Sequence, residues 1–213
     1  MSIGWQDVIL IAVSYLLGAI PFGFLIARAR GVDIRSVGSG NIGATNVARA
    51  LGKGIGILVF VLDVLKGFLP TLAARIWLHG EAEGMPLAVV LTGLAAIVGH
   101  NWPVTLRFKG GKGVATSCGV FLALFPTGLA IALGTWVLVV AVTRYVSLGS
   151  MVGGAALFLA ACLIPDQPFG RAQVSLTVFT GLAGLISVLR HRANIGRLLK
   201  GTENRIGGKK EDS

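Results

Sequence analysis

Residues 54–77 read GIGILVFVLDVLKGFLPTLAARIW, a run of 24 residues. It is a long, predominantly apolar run and a candidate membrane span. Crossing the hydrocarbon of a bilayer takes about 20 apolar residues, with a range of about 17–25. Asp63 and Lys66 interrupt the run three positions apart, so they share one helix face and can pair there. An ionisable pair at membrane depth serves a function, or it lets the helix pack against a polar interior, and both readings stand.

Working outward, further apolar runs occupy Val8–Ala27, Leu87–His100, Val114–Leu124, Gly128–Thr143, Leu148–Leu163 and Val174–Leu189. The first, the 54–77 run and the last are expected to span; Leu87–His100 and Val114–Leu124 are short and are expected to be partial, tilted or re-entrant. The chain of 213 residues is 54% hydrophobic and 13% charged, where a soluble domain carries about a quarter charged residues. The expected class is all-α: a polytopic membrane bundle of about seven helices in one domain over residues 1–213, with a dispensable polar tail at 207–213. Asp7 is the only charge before Arg28, so the first run lacks the basic start of a secretory signal and is expected to stay as an anchor. Cys118 and Cys162 sit in apolar runs far apart and read as small buried hydrophobes rather than a disulfide or metal framework.

Net charge is +10, which admits anionic lipid, a phosphorylated substrate or nucleic acid. No nucleic-acid-binding module accompanies the apolar runs, so no nucleic-acid partner is expected. The basic residues also have a side. Arg28, Arg30, Arg35, Arg49, Lys53, Arg107, Lys109, Lys112, Arg144 and the seven of the stretch from Arg190 to Lys210 alternate with connections holding Glu81, Glu83, Asp166 and Arg171. The positive-inside rule then places the basic face and the C-terminus in the cytoplasm and the N-terminus outside.

Three polar clusters fall on that basic face. Gly38-Ser-Gly-Asn-Ile-Gly-Ala-Thr-Asn-Val-Ala-Arg49 contains GxGxxG at Gly38, Gly40 and Gly43. A dinucleotide fold needs a strand before that motif and a helix after it; here apolar helices flank it, and that reading is rejected. The glycines can still turn backbone N–H groups toward an anion. Ser39, Asn41, Thr45 and Asn46 add short donors and caps, and Arg49 a fork suited to phosphate. The competing reading is a polar loop capping a short helix.

Gly99-His-Asn-Trp-Pro-Val-Thr-Leu-Arg-Phe-Lys-Gly-Gly-Lys-Gly-Val-Ala-Thr116 is the second cluster. Gly113 stands where a nucleotide P-loop needs Ser or Thr, and Leu106 where it needs Gly, so a nucleotide site is not expected. Lys109, Gly110, Gly111, Lys112 and Gly113 nevertheless open an apolar helix with cations and free-turning amides, which suits phosphate. In the third cluster, His191, Asn194 and Arg197 are spaced to share one helical face; a juxtamembrane lipid anchor is the alternative there. Ser147, beside Arg144 and Ser150, reads as a short polar turn or as part of a pocket.

Together GSGNIGATNVAR at 38–49, GHNWPVTLRFKGGKGVAT at 99–116 and HRANIGRLLKGTENR at 191–205 resemble the acyl-phosphate-dependent, PlsY-type glycerol-3-phosphate acyltransferases of bacterial membranes, over nearly the whole length. The resemblance implies a seven-span enzyme of the bacterial inner membrane with its active site at the cytoplasmic face. The implied reaction moves a fatty acyl group from long-chain acyl phosphate to the sn-1 hydroxyl of glycerol-3-phosphate, giving lysophosphatidic acid and phosphate, the first acylation of phospholipid synthesis. On it, Ser39, Arg49, Lys112, His191 and Asn194 are the expected catalytic residues. The expected substrate-binding positions are Gly38, Gly40, Asn41, Gly43, Thr45, Asn46, Lys109, Gly110, Gly111, Gly113, Ser147, Arg197 and Glu203. Acyl phosphate is already an activated anhydride, so no cofactor or metal is expected. The His-x-x-x-x-Asp arrangement of other acyltransferases is absent, because Gly84, Thr105 and Gly196 stand five residues after His79, His100 and His191. A phosphate-compound transporter would use the same bundle, but its site belongs near the midplane, whereas these clusters gather on one face. A structural anchor would leave the glycine clusters tolerant of substitution.

Overall fold

A computed structural model describes residues 3–78, 85–171 and 173–207. Glu81, Glu83 and the tail beyond Gly207, on which the topology and the dispensable end were partly argued, lie outside the described residues. Every regular element among the described residues is helical. The chain divides into two compact units, Met1–Phe125 and Pro126–Ser213, each taken in turn.

The first unit is built on α4 (Lys53–Leu78), the 26-residue helix that contains the 54–77 run. Around it stand α1 (Trp5–Gly18), α2 (Phe22–Ala29), α3 (Ala44–Leu51), α5 (Leu87–Asn101) and α6 (Val114–Leu124). Helices α4 and α6 meet backbone to backbone: a methyl group at Gly119 would lie 2.0 Å from the Val64 carbonyl, and one at Gly67 2.3 Å from that of Thr116. Small residues permit this approach, which is how helices associate where water drives nothing together. Arg75 adds a hydrogen bond from its guanidinium to the Ala123 carbonyl.

The first apolar run lies within a 25-residue stretch, Trp5–Ala29, long and apolar enough to span as expected, and its helix breaks at Ala19–Pro21 between α1 and α2. Pro21 has no N–H to continue the ladder. The carbonyls near the break find partners elsewhere: Lys66 Nζ donates to Ile20 O at 2.8 Å, and Thr105 Oγ1 to Ala19 O at 3.1 Å. The buried core at this end comprises Phe24, Ala27, Ile34, Ile42, Val47 and Val59. It seats α2, α3 and the start of α4 beneath the 34–46 loop.

The second unit contains α7 (Pro126–Thr143), α8 (Val146–Leu163), α9 (Val174–Arg190) and α10 (Arg192–Leu199). Helix α7 packs on α8 and α8 on α9. The outer side of α7 is apolar and uncovered, Val142 being 76% exposed, as a lipid-facing helix requires.

By length and composition, five helical stretches among the described residues can cross a membrane, or six if α9 and α10, bent by 57°, count as one. The last run therefore does not span as readily as expected: α9 alone has 17 residues, at the lower limit. Helix α6, with 11 residues, covers about half a hydrocarbon thickness at 1.5 Å per residue, in keeping with a partial helix. Cys118 and Cys162 are free and half-buried, less enclosed than expected.

Candidate active site

The 38–49 cluster is a loop and a short helix, and one side chain closes it. Asn46, 2% exposed, accepts from the Ser39 N–H at 3.0 Å through Oδ1. Its Nδ2 faces the carbonyls of Val37 at 2.9 Å, Asn41 at 3.0 Å and Ile34 at 3.2 Å. A primary amide has two hydrogens to give, so its donor capacity is filled by the loop. Asn46 therefore shapes the loop from inside instead of reaching outward to a phosphate. Asn41 also works locally, its Oδ1 accepting from the Gly43 N–H at 2.8 Å ahead of α3.

Gly38 shows why this loop needs glycine. Its φ is +58°, in the left-handed region, and a Cβ there would stand 2.4 Å from Asn46 Oδ1. Any side chain would combine an unfavourable backbone with a collision against the residue that closes the loop. Ser39 and Gly40 remain half-buried, while Thr45 and Arg49 on α3 are exposed.

The second cluster wraps the end of α5. The Gly110 N–H donates to Asn101 O at 3.3 Å and the Gly111 N–H to His100 O at 3.1 Å, so the loop satisfies carbonyls that the helix end leaves open. Gly113, φ +82°, caps α6 in the left-handed region. A Cβ there would lie 2.7 Å from Asn101 Oδ1. Lys109 is exposed and Lys112 half-buried.

Two groups not anticipated from the sequence appear here. Asn101, 0% exposed, has both side-chain amide atoms without a hydrogen-bond partner among the described residues, and so does the buried Thr116 hydroxyl. Buried polar groups are nearly always paired, so these mark the loop as a place built for polar company. Both lie inside the 99–116 stretch, where an Asn and a Thr among glycines and apolar residues were the available signal.

The third cluster and Ser147 are drawn together by Glu203, which is 9% exposed. Its Oε1 accepts from Asn194 Nδ2 at 2.6 Å and Ser147 Oγ at 2.8 Å, and its Oε2 from Arg197 Nε at 2.7 Å. Burial alone would raise the Glu203 carboxyl's pKa; the hydrogen bonds from Asn194, Ser147 and Arg197 outweigh it and hold the pKa below the ordinary value. The same α7–α8 connection is tied a second time, Arg144 donating to Ile206 O at 2.6 and 2.9 Å through Nη2 and Nε. His191, 2% exposed, sits where α9 ends and α10 begins. Its Nδ1 is 2.8 Å from Ser187 O. A carbonyl only accepts, so Nδ1 carries a hydrogen and a neutral ring presents a lone pair at Nε2.

Within the first unit, then, the 38–49 and 99–116 stretches are each internally fixed; within the second, Ser147, Asn194, Arg197 and Glu203 form one hydrogen-bonded group. No set of three or more His, Cys, Asp or Glu side chains among the described residues could hold a metal ion.

Known proteins resemble this chain over almost its full length. The sequence is 46% identical over 204 residues to the glycerol-3-phosphate acyltransferase of Desulforamulus reducens, covering 95% of this chain and 96% of that one. It is 48% identical over 201 residues to the enzyme of the same name from Geobacter sulfurreducens, covering 94% and 98%. The crystal structure of PlsY, an integral membrane glycerol 3-phosphate acyltransferase in its glycerol 3-phosphate form, superposes with a TM-score of 0.87 at 42% identity, covering 95% of this chain and 96% of that one. A lysophosphatidic acid form of that protein matches with a TM-score of 0.83. Residues 8–201 also match the family model for glycerol-3-phosphate acyltransferase, and the chain belongs to that family of integral membrane enzymes.

Proposed function

We propose that this chain transfers a fatty acyl group from a long-chain acyl phosphate to the sn-1 hydroxyl of glycerol-3-phosphate, releasing lysophosphatidic acid and inorganic phosphate. The site faces the cytoplasm from the bacterial inner membrane in a bundle of about seven membrane helices, α6 a partial one, with the N-terminus outside and the C-terminus inside. Family membership supports the acyl acceptor, and the basic connections support the orientation. The observation that carries the site reading is a division of labour. Asn41 and Asn46 fix the 38–49 loop from within, while Arg49 remains on the exposed surface of that stretch and Lys109 on that of 99–116.

In the reaction the glycerol-3-phosphate hydroxyl oxygen attacks the acyl carbon, the C–O bond to phosphate breaks, and phosphate leaves with the anhydride's electron pair. Arg49, Lys109 and Lys112 neutralise phosphate charge, with the side chains of Ser39 and Thr45 and the amides of Gly38 and Gly113 supplying donors, while the N–H groups of Gly40, Gly43, Gly110 and Gly111 hold the loops' own shape. Such fixed donors stabilise the oxyanion that develops on the attacked carbonyl. Asn194, Arg197 and Ser147, oriented by Glu203, address glycerol-3-phosphate together with His191. The hydroxyl proton goes either to His191 Nε2 or to a substrate phosphate oxygen.

The test is an assay of purified protein with labelled glycerol-3-phosphate and palmitoyl phosphate, beside a sample given palmitoyl-CoA and an Arg49→Ala preparation. Lysophosphatidic acid is expected from palmitoyl phosphate alone, with Arg49→Ala lowering turnover by about a hundredfold or more. No product from folded, monodisperse protein would overturn the reading. His191→Gln separates the two proton routes: turnover abolished with glycerol-3-phosphate affinity kept identifies His191 as the base, and affinity lost with residual turnover identifies it as a binding group.

A further inference from the structure

The buried pair of α4 has a third member from another helix. Asp63 Oδ1 lies 2.8 Å from Lys66 Nζ and 3.6 Å from His100 Nδ1, the side chains being between 3% and 4% exposed. Lys66 also donates to the Ile20 carbonyl at the α1–α2 break, and its ammonium and the His100 ring both approach the same Asp63 oxygen, Oδ1. His100 is the penultimate residue of α5, immediately under the glycine loop.

The opposite edge of the imidazole faces that loop. A Cβ added to Gly111 would fall 2.0 Å from His100 Nε2, so only a glycine can rest its Cα on the ring. A Cβ on Gly110 would fall 2.2 Å from the His100 carbonyl, and the Gly111 N–H donates to that same oxygen. One residue thus supports the loop through backbone and ring together, and Asp63 lies 3.6 Å from the ring's Nδ1 on the side away from Gly111. A lone intramembrane charge is expensive; here charges are grouped along a line that ends under Gly111.

We propose that Asp63, Lys66 and His100 are positioning residues for the Lys109–Gly113 loop, with the imidazole as the floor on which Gly111 sets the path of the loop and so the place of Lys112. This rests on the reading of that loop as a site for a substrate phosphate. It gives the intramembrane pair a task in substrate binding without contact with substrate.

The experiment measures equilibrium binding to full-length protein in detergent with two probes. One is glycerol-3-phosphate; the other is a phosphonate analogue of palmitoyl phosphate with CH2 replacing the bridging oxygen. Lys112→Ala first identifies which probe the loop holds. His100→Asn places an amide nitrogen where Nδ1 was, keeping the group that faces Asp63, but removes the edge beneath Gly111. It is expected to weaken the probe that Lys112→Ala weakens by roughly tenfold, the usual scale for partners that orient a binding group. The other probe should shift less than about twofold, with the melting temperature kept. His100→Gln, whose amide reaches the Nε2 position, is expected to restore most of the loss. Asp63→Asn gives a second route should His100→Asn fail to fold, and the same selective loss is expected. Wild-type affinity, or equal weakening of both probes, in the folded His100 or Asp63 variant would overturn the proposal while leaving the loop reading in place. A Lys112→Ala protein that binds both probes normally would overturn the loop reading, and the proposal with it.

Discussion

The 34–46 loop and the 191–205 end are each organised by one buried side chain, and the two organisers differ in charge. Asn46 is a neutral amide whose hydrogen bonds all go to backbone. Glu203 is a carboxylate whose partners are all side chains. A neutral hub fixes the path of the chain and responds little to acid. A charged hub fixes the rotamers of other functional groups, binds each more strongly, and depends on staying ionised.

The sharpest break in this contrast is Asn46→Asp, which changes little in shape but puts a carboxylate among three carbonyls that need a donor. The expected cost is about 3–5 kcal/mol, the scale of an uncompensated buried charge, with transferase activity lost. Thermal melts and hydrogen exchange over 34–46 would show it; unchanged exchange there would mean that the loop holds without its amide. Next comes Glu203→Gln, which keeps the volume and some hydrogen bonds but removes the charge from Arg197. About 2 kcal/mol is expected, within the range for hydrogen bonds to charged groups, read as faster exchange over 192–206. Exchange unchanged in that segment would demote Glu203 from organiser to bystander.

The smallest effect is on pH. The folded Glu203 carboxyl titrates below its usual value, so its stabilisation is fully present above the unfolded value of about 4.3. It is lost as pH falls through that value and then through the lower folded one. The protection factor over 192–206, which corrects for the slower intrinsic exchange at lower pH, should therefore fall on acidification from pH 5 toward 3 in the wild type and respond less in Glu203→Gln. The 34–46 loop should lag behind. Its edge carries Asp33, whose carboxyl is also held below its usual value, by hydrogen bonds from Arg35. Asp33 is exposed, so salt screens its contribution, and raising ionic strength should widen the difference between the two regions.

Reading the chain from composition and periodicity located the apolar helices well, including the bounds of α6, because an apolar run between Gly113 and Pro126 has clear edges. The α1–α2 break was missed although Ile20-Pro21 was in view, since hydropathy sums over a proline that backbone geometry cannot ignore. The Asp63–Lys66 pair was legible because helical spacing alone brings its members together. His100 was not, as its place beside Asp63 depends on how α4 and α5 pack. The same holds for the amides. Sequence can nominate Asn41, Asn46 and Asn194 as polar groups in a motif, but which donor meets which acceptor is a tertiary fact. Glu203 gathers partners from Ser147 to Arg197, and only the folded chain brings these onto one carboxylate.

The bond from Lys66 to the Ile20 carbonyl has a consequence for how the protein enters its membrane. Asp63 and Lys66 each oppose insertion of their segment by about 2.5–3.5 kcal/mol near its centre, and the segment's long apolar remainder must offset both. The first segment, already made, carries a break whose exposed carbonyls are poorly served by lipid. The Lys66 ammonium finds at that break an acceptor that lipid does not offer, so docking of the later segment on the earlier one offsets part of the later one's insertion cost.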